Sequence, residues 1–259
     1  MQIKDLYSLK NSSAIVIGGA GKIGFPISEA LAEAGAKVYI CSTNQENFSD
    51  AVEKLTRKNL DVQGFKLDQT SEDDINNLID LIRKTDFPLK VLVNSGVIRP
   101  MKMFFEDTLL KWNKSMAINS GGLFLTCKLF GKELVKNGGG SIINVSSIYG
   151  TVAPDMTIYE GCDFETEPDY PYTKGGMNMF SKYLASYYAS KNVRVNIISP
   201  GGFFNDQKQP FLNNYIKKVP MKRMAFHDDL KGVAVFLASD ASSYITGNNI
   251  FVDGGFNII

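Results

Sequence analysis

A tyrosine and a lysine four positions apart, Tyr170 and Lys174, form the pair with the clearest potential for acid–base chemistry. On a helix, residues with this spacing lie on the same face. The lysine ammonium group stabilises a phenolate, which lowers the pKa of the tyrosine from about 10 toward neutral pH. The pair therefore predicts a general acid–base, and its alternative is a solvated surface pair without function. The surrounding motifs decide between the two.

A glycine-rich segment near the N-terminus has the composition of a phosphate-binding loop. It follows the apolar run 14–17 and precedes a segment whose apolar residues repeat at helical spacing. Glycines let the backbone turn sharply and approach a pyrophosphate, which the amides and dipole of a helix N-terminus stabilise. A chain with 23 glycines offers chance matches, but this position favours dinucleotide binding over a plain tight turn. The residues assigned to this contact are Gly18, Gly21, Lys22, Ile23 and Gly24.

The residues after the second predicted strand bear on which dinucleotide binds. An acidic residue there would bind the ribose 2′-hydroxyl of NAD, whereas an arginine would favour the 2′-phosphate of NADP. Ser42 and Thr43 occupy this place, so neither marker is present. Because no carboxylate opposes a phosphate and Lys22 supplies a cation nearby, the sequence favours NADP slightly over NAD.

Short β-branched runs alternate with amphipathic helices along the whole chain. This alternation predicts an α/β fold: a single Rossmann-type domain, doubly wound, with a seven-stranded parallel sheet and helices on both faces. In such sheets a ligand binds at the carboxyl ends of the strands, which is where we expect the chemistry. The predicted strands cover residues 14–17, 38–41, 62–67, 91–93, 141–145, 193–198 and 250–252.

Polar and glycine motifs follow the later strands in a fixed order. Together with the Tyr–Lys pair, they resemble the short-chain dehydrogenase/reductase family over essentially the whole chain, including its glycine-rich tail. The motifs are Asn94-Ser95-Gly96, Asn119, Ser146-Ser147, Pro200-Gly201 and the tail segments 244–247 and 252–255.

The resemblance implies a catalytic role for four residues of this chain. Tyr170 would exchange the proton with the substrate oxygen, and Lys174 would lower the pKa of Tyr170 and hold the nicotinamide ribose. Ser147 would orient the substrate oxygen, and Asn119 would support a water-mediated proton relay. The resemblance also implies further cofactor contacts, at Asp68, Gln69, Asn94, Ser95, Gly96, Pro200 and Gly201.

Three features depart from the family pattern. Lys22 stands where a glycine is usual, so the loop has a spacing typical of sugar-nucleotide epimerases. Pro171 biases the preceding Tyr170 away from helical geometry, which places Tyr170 at a helix start. Ser147 and Tyr170 lie 23 positions apart, more than the family usually has.

The extra length falls in an acidic insert, residues 151–169, which contains no lysine or arginine. A predicted substrate lid, residues 202–223, carries several lysines together with Phe203 and Phe204. We hypothesise that the acidic insert and the basic lid close over a small polar substrate. The insert resembles one found in a family branch associated with surface-polysaccharide and flagellin-modification sugar pathways, which would favour a sugar-derived substrate. Two solvated loops are the alternative.

The overall composition excludes several function classes. One histidine, His227, excludes multi-histidine zinc sites, and the three cysteines are too far apart for a CxxC site, so we expect no metal. A net charge of +1 gives no drive toward nucleic acid. Residues 1–13 lack the apolar region of a signal peptide, and no run approaches the roughly 18 apolar residues of a membrane span. We expect a cytoplasmic protein with a small-molecule substrate and without a membrane partner.

The leading hypothesis is an NAD(P)-dependent oxidoreductase that interconverts a secondary alcohol and a ketone. A second reading is a sugar-nucleotide epimerase or dehydratase with transient hydride transfer. A third is a non-catalytic nucleotide-binding protein, against which the complete Asn119, Ser147, Tyr170 and Lys174 set argues. The family resemblance also implies a homo-oligomer, either a dimer or a tetramer.

Overall fold

Seven parallel strands form one sheet in the computed structural model, which describes residues 1–258. The strands are β1 Ser13–Ile17, β2 Lys37–Ser42, β3 Val62–Lys66, β4 Leu89–Asn94, β5 Gly140–Val145, β6 Val193–Pro200 and β7 Asn249–Val252. Their order across the sheet is β3-β2-β1-β4-β5-β6-β7. The chain therefore winds outward in both directions from β1 and β4, which confirms the predicted doubly wound fold and all of its strands.

Nine α-helices connect and cover the strands within residues 1–258. A π-helix, Met116–Gly122, joins the fifth helix to the sixth. Over the same residues, no helix combines the length and the apolar character that crossing a membrane requires. The helices are α1 Ile3–Leu6, α2 Gly24–Glu33, α3 Gln45–Thr56, α4 Glu72–Ile82, α5 Leu109–Ser115, α6 Leu123–Lys136, α7 Asp169–Tyr188, α8 Phe211–Lys218 and α9 Asp228–Ala238.

Both faces of the sheet are buried beneath helices. All residues of β1 are buried, and successive side chains of a strand point to opposite faces. Ile15 accordingly packs in a cluster with residues of α4, α6 and α7, whereas Val16 packs in a second cluster with residues of α2, α3 and α9. Burial on both faces explains why the strands are continuous β-branched runs rather than alternating patterns.

Local sequence signals set the helix ends that matter for the site. The Ser71 hydroxyl accepts a hydrogen bond from the Asp74 amide at 3.1 Å and so caps α4. Gly35 follows the end of α2 with a φ of +101°, a left-handed conformation that favours glycine. Pro171 lies in the first turn of α7, where its missing N–H is tolerated. Tyr170 is therefore at the helix start, in agreement with the prediction.

Candidate active site

A cavity of about 730 Å³ opens at the carboxyl ends of the strands, where the fold predicts a ligand. Most of the residues predicted from the sequence line it. Asn94, Asn119 and Lys174 do not, and they lie behind its wall. The predicted residues that line the cavity are Gly18, Gly21, Lys22, Ile23, Gly24, Ser42, Thr43, Asp68, Gln69, Ser95, Gly96, Ser147, Tyr170, Pro200 and Gly201.

The glycine loop fits a pyrophosphate for a steric reason. Gly18 has a φ of +71°, and a Cβ there would lie 2.7 Å from the Gly96 backbone. A Cβ on Gly24 would overlap the Gly18 carbonyl group. Helix α2 begins at Gly24, so the first amides of the helix face the cavity with their positive dipole end. The loop thus offers an anion site that side chains would fill.

The cavity contains no acidic residue at the end of β2. Ser42 and Thr43 line it there, and Lys22 of the glycine loop lines it as an exposed cation. The Asp68 carboxylate accepts hydrogen bonds from the amide and the hydroxyl of Thr70, at 2.8 and 2.7 Å. Gln69 donates to the Ile118 carbonyl oxygen at 2.6 Å. These bonds fix the loop after β3 against the cavity.

Tyr170 lines the cavity, and Lys174 lies beside it behind the cavity wall. The Lys174 Nζ atom is 5.7 Å from the centroid of the Tyr170 ring and donates to the Val145 carbonyl oxygen at 2.7 Å. Lys174 is 4% exposed, so the solvated-pair alternative does not hold. Ser147 follows β5, is 6% exposed and lines the same part of the cavity.

An arginine that the sequence analysis missed completes this group. The Arg99 guanidinium carbon lies 3.8 Å from the centroid of the Tyr170 ring, within cation–π range. Its other neighbour is Glu167, 3.8 Å away, and 49% of the Arg99 side chain is exposed. Arg99 is the first cation after β4, at a strand end where the fold places ligands. That position was the available signal.

The environment of Tyr170 lowers its pKa below the ordinary value of 10. Burial by itself raises the pKa, but the positive charges of Lys174 and Arg99 and the polar contacts of Ser147 and Arg99 outweigh it. The pKa of Lys174 is also lowered, chiefly by burial. The group can therefore hold a phenolate at lower pH than an isolated tyrosine could.

Asn119 lies within the π-helix and holds the loop that carries Arg99. Its amide oxygen accepts from the Ile98 N–H, and its amide nitrogen donates to the Ile98 carbonyl oxygen, both at 2.9 Å. A third bond joins that nitrogen to the Ser115 hydroxyl at 2.9 Å. The neighbouring residue Ile118 lines the cavity, so the π-helix brings the backbone to the site while the Asn119 side chain faces away from it.

Asn94 is a positioning residue within the sheet rather than part of the cavity wall. Its amide nitrogen donates to the Asn144 side chain at 2.8 Å, and its amide oxygen accepts from the Thr126 hydroxyl at 2.9 Å. This network joins β4 to β5 and to α6 beneath the cavity. Ser95 and Gly96, the next two residues, form the wall instead.

The insert 151–169 and the lid 202–223 contact each other directly. Lys218 of α8 forms an ion pair with Asp155 of the insert at 2.8 Å. The rings of Tyr159 and Phe211 lie 5.6 Å apart, and both residues line the cavity. Of the two phenylalanines singled out in the lid, Phe203 lines the cavity, whereas Phe204 packs against Phe226.

Neither the histidine nor the carboxylates form a metal site in the described chain. His227 precedes α9 and stacks on Phe203 at 5.7 Å. Between residues 1 and 258, no group of three or more histidine, cysteine, aspartate or glutamate side chains is arranged to hold a metal ion.

Comparisons with known proteins agree with this geometry. A family model described as Enoyl-(Acyl carrier protein) reductase matches residues 18–257. A 5-keto-D-gluconate 5-reductase from Escherichia coli is 29% identical, with 98% of each chain covered. A 2,5-dichloro-2,5-cyclohexadiene-1,4-diol dehydrogenase from Sphingobium indicum is 33% identical, with 96% of this chain and 98% of the relative covered. A gluconate 5-dehydrogenase from Burkholderia cenocepacia, crystallised with NADP and tartrate, superposes with a TM-score of 0.89 at 25% identity, with both chains fully covered.

A doubly wound sheet with a glycine loop beside its central crossover, and a ligand cavity at the strand ends, is the architecture of an NAD(P)-dependent oxidoreductase. The family match extends over almost all of the chain. The protein belongs to the short-chain dehydrogenase/reductase family.

Proposed function

We propose that the protein catalyses reversible reduction of a ketone to a secondary alcohol on a small, hydroxylated, sugar-derived substrate. The observation that carries this proposal is the placement of Tyr170 among Lys174, Arg99 and Ser147, in one cavity with the glycine loop. The reacting oxygen of the substrate and the dinucleotide would then bind in the same cavity.

The chemistry divides between the cofactor and the chain. Bound NADPH would supply the hydride to the carbonyl carbon. The Tyr170 hydroxyl would donate its proton to the carbonyl oxygen, which the Ser147 hydroxyl would orient by a hydrogen bond. Lys174 and Arg99 would stabilise the phenolate left on Tyr170, and the reverse reaction would return the proton to it.

Polar side chains at the substrate end support a hydroxylated substrate. Arg99, Tyr149, Tyr159, Asn205 and Gln207 all line that part of the cavity. Other proteins in the comparison are named for acyl or chlorinated substrates. A pocket for such a substrate would need fewer buried hydrogen-bonding groups, because each group left unpaired costs free energy. The reductase relative named for 5-keto-D-gluconate supplies the most suitable first substrate.

The preference for NADP is part of the proposal. Lys22 and the absence of a carboxylate at the end of β2 support it, as does the NADP bound to the gluconate dehydrogenase neighbour. Replacing Lys22 with methionine is expected to weaken NADPH binding and leave NADH binding nearly unchanged. Fluorescence titration of both dinucleotides measures this difference.

A homo-oligomer formed through α6 and α7 is also proposed. An aromatic face on these helices remains exposed in the single chain: Phe124 is 53% exposed, Tyr183 61% and Tyr187 53%. Such contiguous apolar surface is typical of an interface. Light scattering after gel filtration tests for a dimer or tetramer. The cytoplasmic location, supported by three free thiols, is proposed with it.

The decisive assay follows nicotinamide absorbance while the enzyme acts on 5-keto-D-gluconate. Stoichiometric loss of NADPH is expected, with a secondary alcohol as product. An epimerase or dehydratase would change the sugar without net cofactor oxidation, and that outcome would overturn the proposal.

A further inference from the structure

We propose that Tyr149 and Tyr159 form a hydroxyl-recognition subsite, which selects substrates that carry hydroxyl groups in addition to the reacting oxygen. This inference rests on the proposed function and deepens it. Tyr149 lies two residues after Ser147, and Tyr159 is contributed by the insert 151–169. Both residues line the cavity that Tyr170 lines.

The two phenol hydroxyls can replace the hydrogen bond between them with hydrogen bonds to a ligand. Their hydroxyl oxygens lie 3.3 Å apart, whereas O–H···O hydrogen bonds typically measure about 2.5–3.0 Å. The bond between them is therefore weak. Each hydroxyl has one donor and two acceptor lone pairs, so most of their hydrogen-bonding capacity is available to a polyol.

Both phenols act as neutral donors rather than as proton carriers. Burial raises the pKa of Tyr149 and the pKa of Tyr159 above the ordinary value. This is the opposite of Tyr170, whose pKa is lowered. Tyr170 is thus suited to proton transfer, whereas Tyr149 and Tyr159 are suited to binding.

The surrounding aromatic rings fix the two phenols in place. Tyr159 packs against Phe211 of the lid, 5.6 Å away, and against Phe164 of the insert, 5.9 Å away. Tyr149 packs edge-on against Phe256 of the C-terminal segment at 6.5 Å. Hydroxyls held by packed rings lose little freedom when they bind, which favours specificity for a fixed pattern of substrate oxygens.

These contacts give the insert a function, which is to position Tyr159 at the cavity. It brings the Tyr159 hydroxyl to the cavity and is itself attached to α8 by the ion pair between Asp155 and Lys218. Without this segment, the hydroxyl of Tyr149 would lack its neighbour. The ligand class that fits is a ketone of a sugar acid or alditol, in which carbons near the carbonyl carry hydroxyl groups.

Two ketones that differ only in hydroxylation test the proposal. 5-Keto-D-gluconate and 5-oxohexanoate share chain length, carboxylate and ketone position, but the second has no hydroxyl groups. The ratio of their kcat/KM values is expected to fall about three- to tenfold in Tyr159→Phe and in Tyr149→Phe, mainly through KM for the hydroxylated ketone. Tyr244→Phe, at a fully exposed position outside the cavity, is the matched control and should keep the wild-type ratio.

The possible failures are distinguishable. If the wild type reduces neither ketone, or reduces both without preferring the hydroxylated one, the proposed substrate class is wrong and so is the subsite. If the wild type prefers 5-keto-D-gluconate but both tyrosine variants lose activity equally on the two ketones, only the subsite is overturned. Titration with NADPH shows whether each variant retains the folded cofactor site.

Discussion

The two ends of the cavity are built in different ways. The nucleotide end consists mainly of backbone: a Cβ on Gly24 would overlap the carbonyl group of Gly18 in the same loop. The substrate end consists of side chains from separate segments, with Arg99 following β4, Tyr159 on the insert and Phe211 on α8. One end is therefore a local motif, and the other is an assembly of distant parts.

This difference indicates which end of the cavity can change its substrate specificity by substitution. A dinucleotide site made of backbone tolerates few substitutions, because the glycines are sterically required. A substrate site made of side chains can change when one loop lengthens or one aromatic residue is replaced, while the sheet beneath it stays the same. The acidic insert is such a change, and it reaches both the Arg99 loop and α8.

The largest expected effect separates chemistry from binding at Tyr170. In Tyr170→Phe, loss of the proposed proton donor is expected to reduce kcat about 10²- to 10⁴-fold. The affinity for NADPH should change little, because the glycine loop is untouched. Steady-state kinetics and NADPH titration measure the two quantities. Wild-type turnover in this variant would refute acid–base catalysis by Tyr170.

A substitution at the nucleotide end should mainly lower the affinity for NADPH, the quantity that Tyr170→Phe leaves nearly unchanged. Gly24→Ala introduces a Cβ that overlaps the Gly18 carbonyl group, so the loop must shift. We expect NADPH affinity to fall about 10- to 100-fold, the equivalent of roughly 1–3 kcal/mol for an overpacked position. Gly232→Ala is the control, since its Cβ meets nothing within 4 Å. Equal affinities in the two variants would contradict the close packing of the loop.

Sequence patterns predicted the nucleotide end better than the substrate end for the same physical reason. The glycine loop and all seven strands are local signals, and the structure places them as expected. Lys174 is recognisable by its spacing from Tyr170, since both lie on α7. Arg99 was missed because its contact with Tyr170 joins residues 71 positions apart, a proximity that no local pattern encodes. Asn94 was assigned a cofactor contact because its side-chain network, which joins separate segments, is equally non-local.

Arg99 gives an intermediate effect that is visible as a pH shift. Its charge helps to lower the pKa of Tyr170, so Arg99→Met should raise that pKa. Alcohol oxidation requires the phenolate, so the rising part of its pH–rate profile would move to higher pH, and the rate at a fixed pH on that rising part would fall. Arg99→Lys keeps a positive charge and should shift the profile less. A pH profile that is identical in wild type and Arg99→Met would remove Arg99 from the acid–base group.

The smallest effect concerns the attachment of the insert to α8. The pair of Asp155 and Lys218 is partly exposed, with side-chain exposures of 34% and 48%, so its contribution to stability is expected to be below about 1 kcal/mol. Hydrogen bonds with Lys218 and Thr157 lower the pKa of Asp155 to about 2, below its value in the unfolded chain. The stabilisation is therefore complete above about pH 4 and is lost as the pH falls toward 2.

Asp155→Asn should accordingly lower the midpoint of thermal unfolding slightly at pH 7, and the difference from wild type should vanish as the pH falls through 2. Asp50→Asn removes another exposed carboxylate, from a pair with Lys54 within α3, and controls for loss of surface charge far from the insert. If the pair of Asp155 and Lys218 positions Tyr159, Asp155→Asn also raises KM for the hydroxylated ketone, whereas Asp50→Asn does not. A change in stability without a change in KM would mean that ring packing against Phe211 alone holds Tyr159 in the cavity.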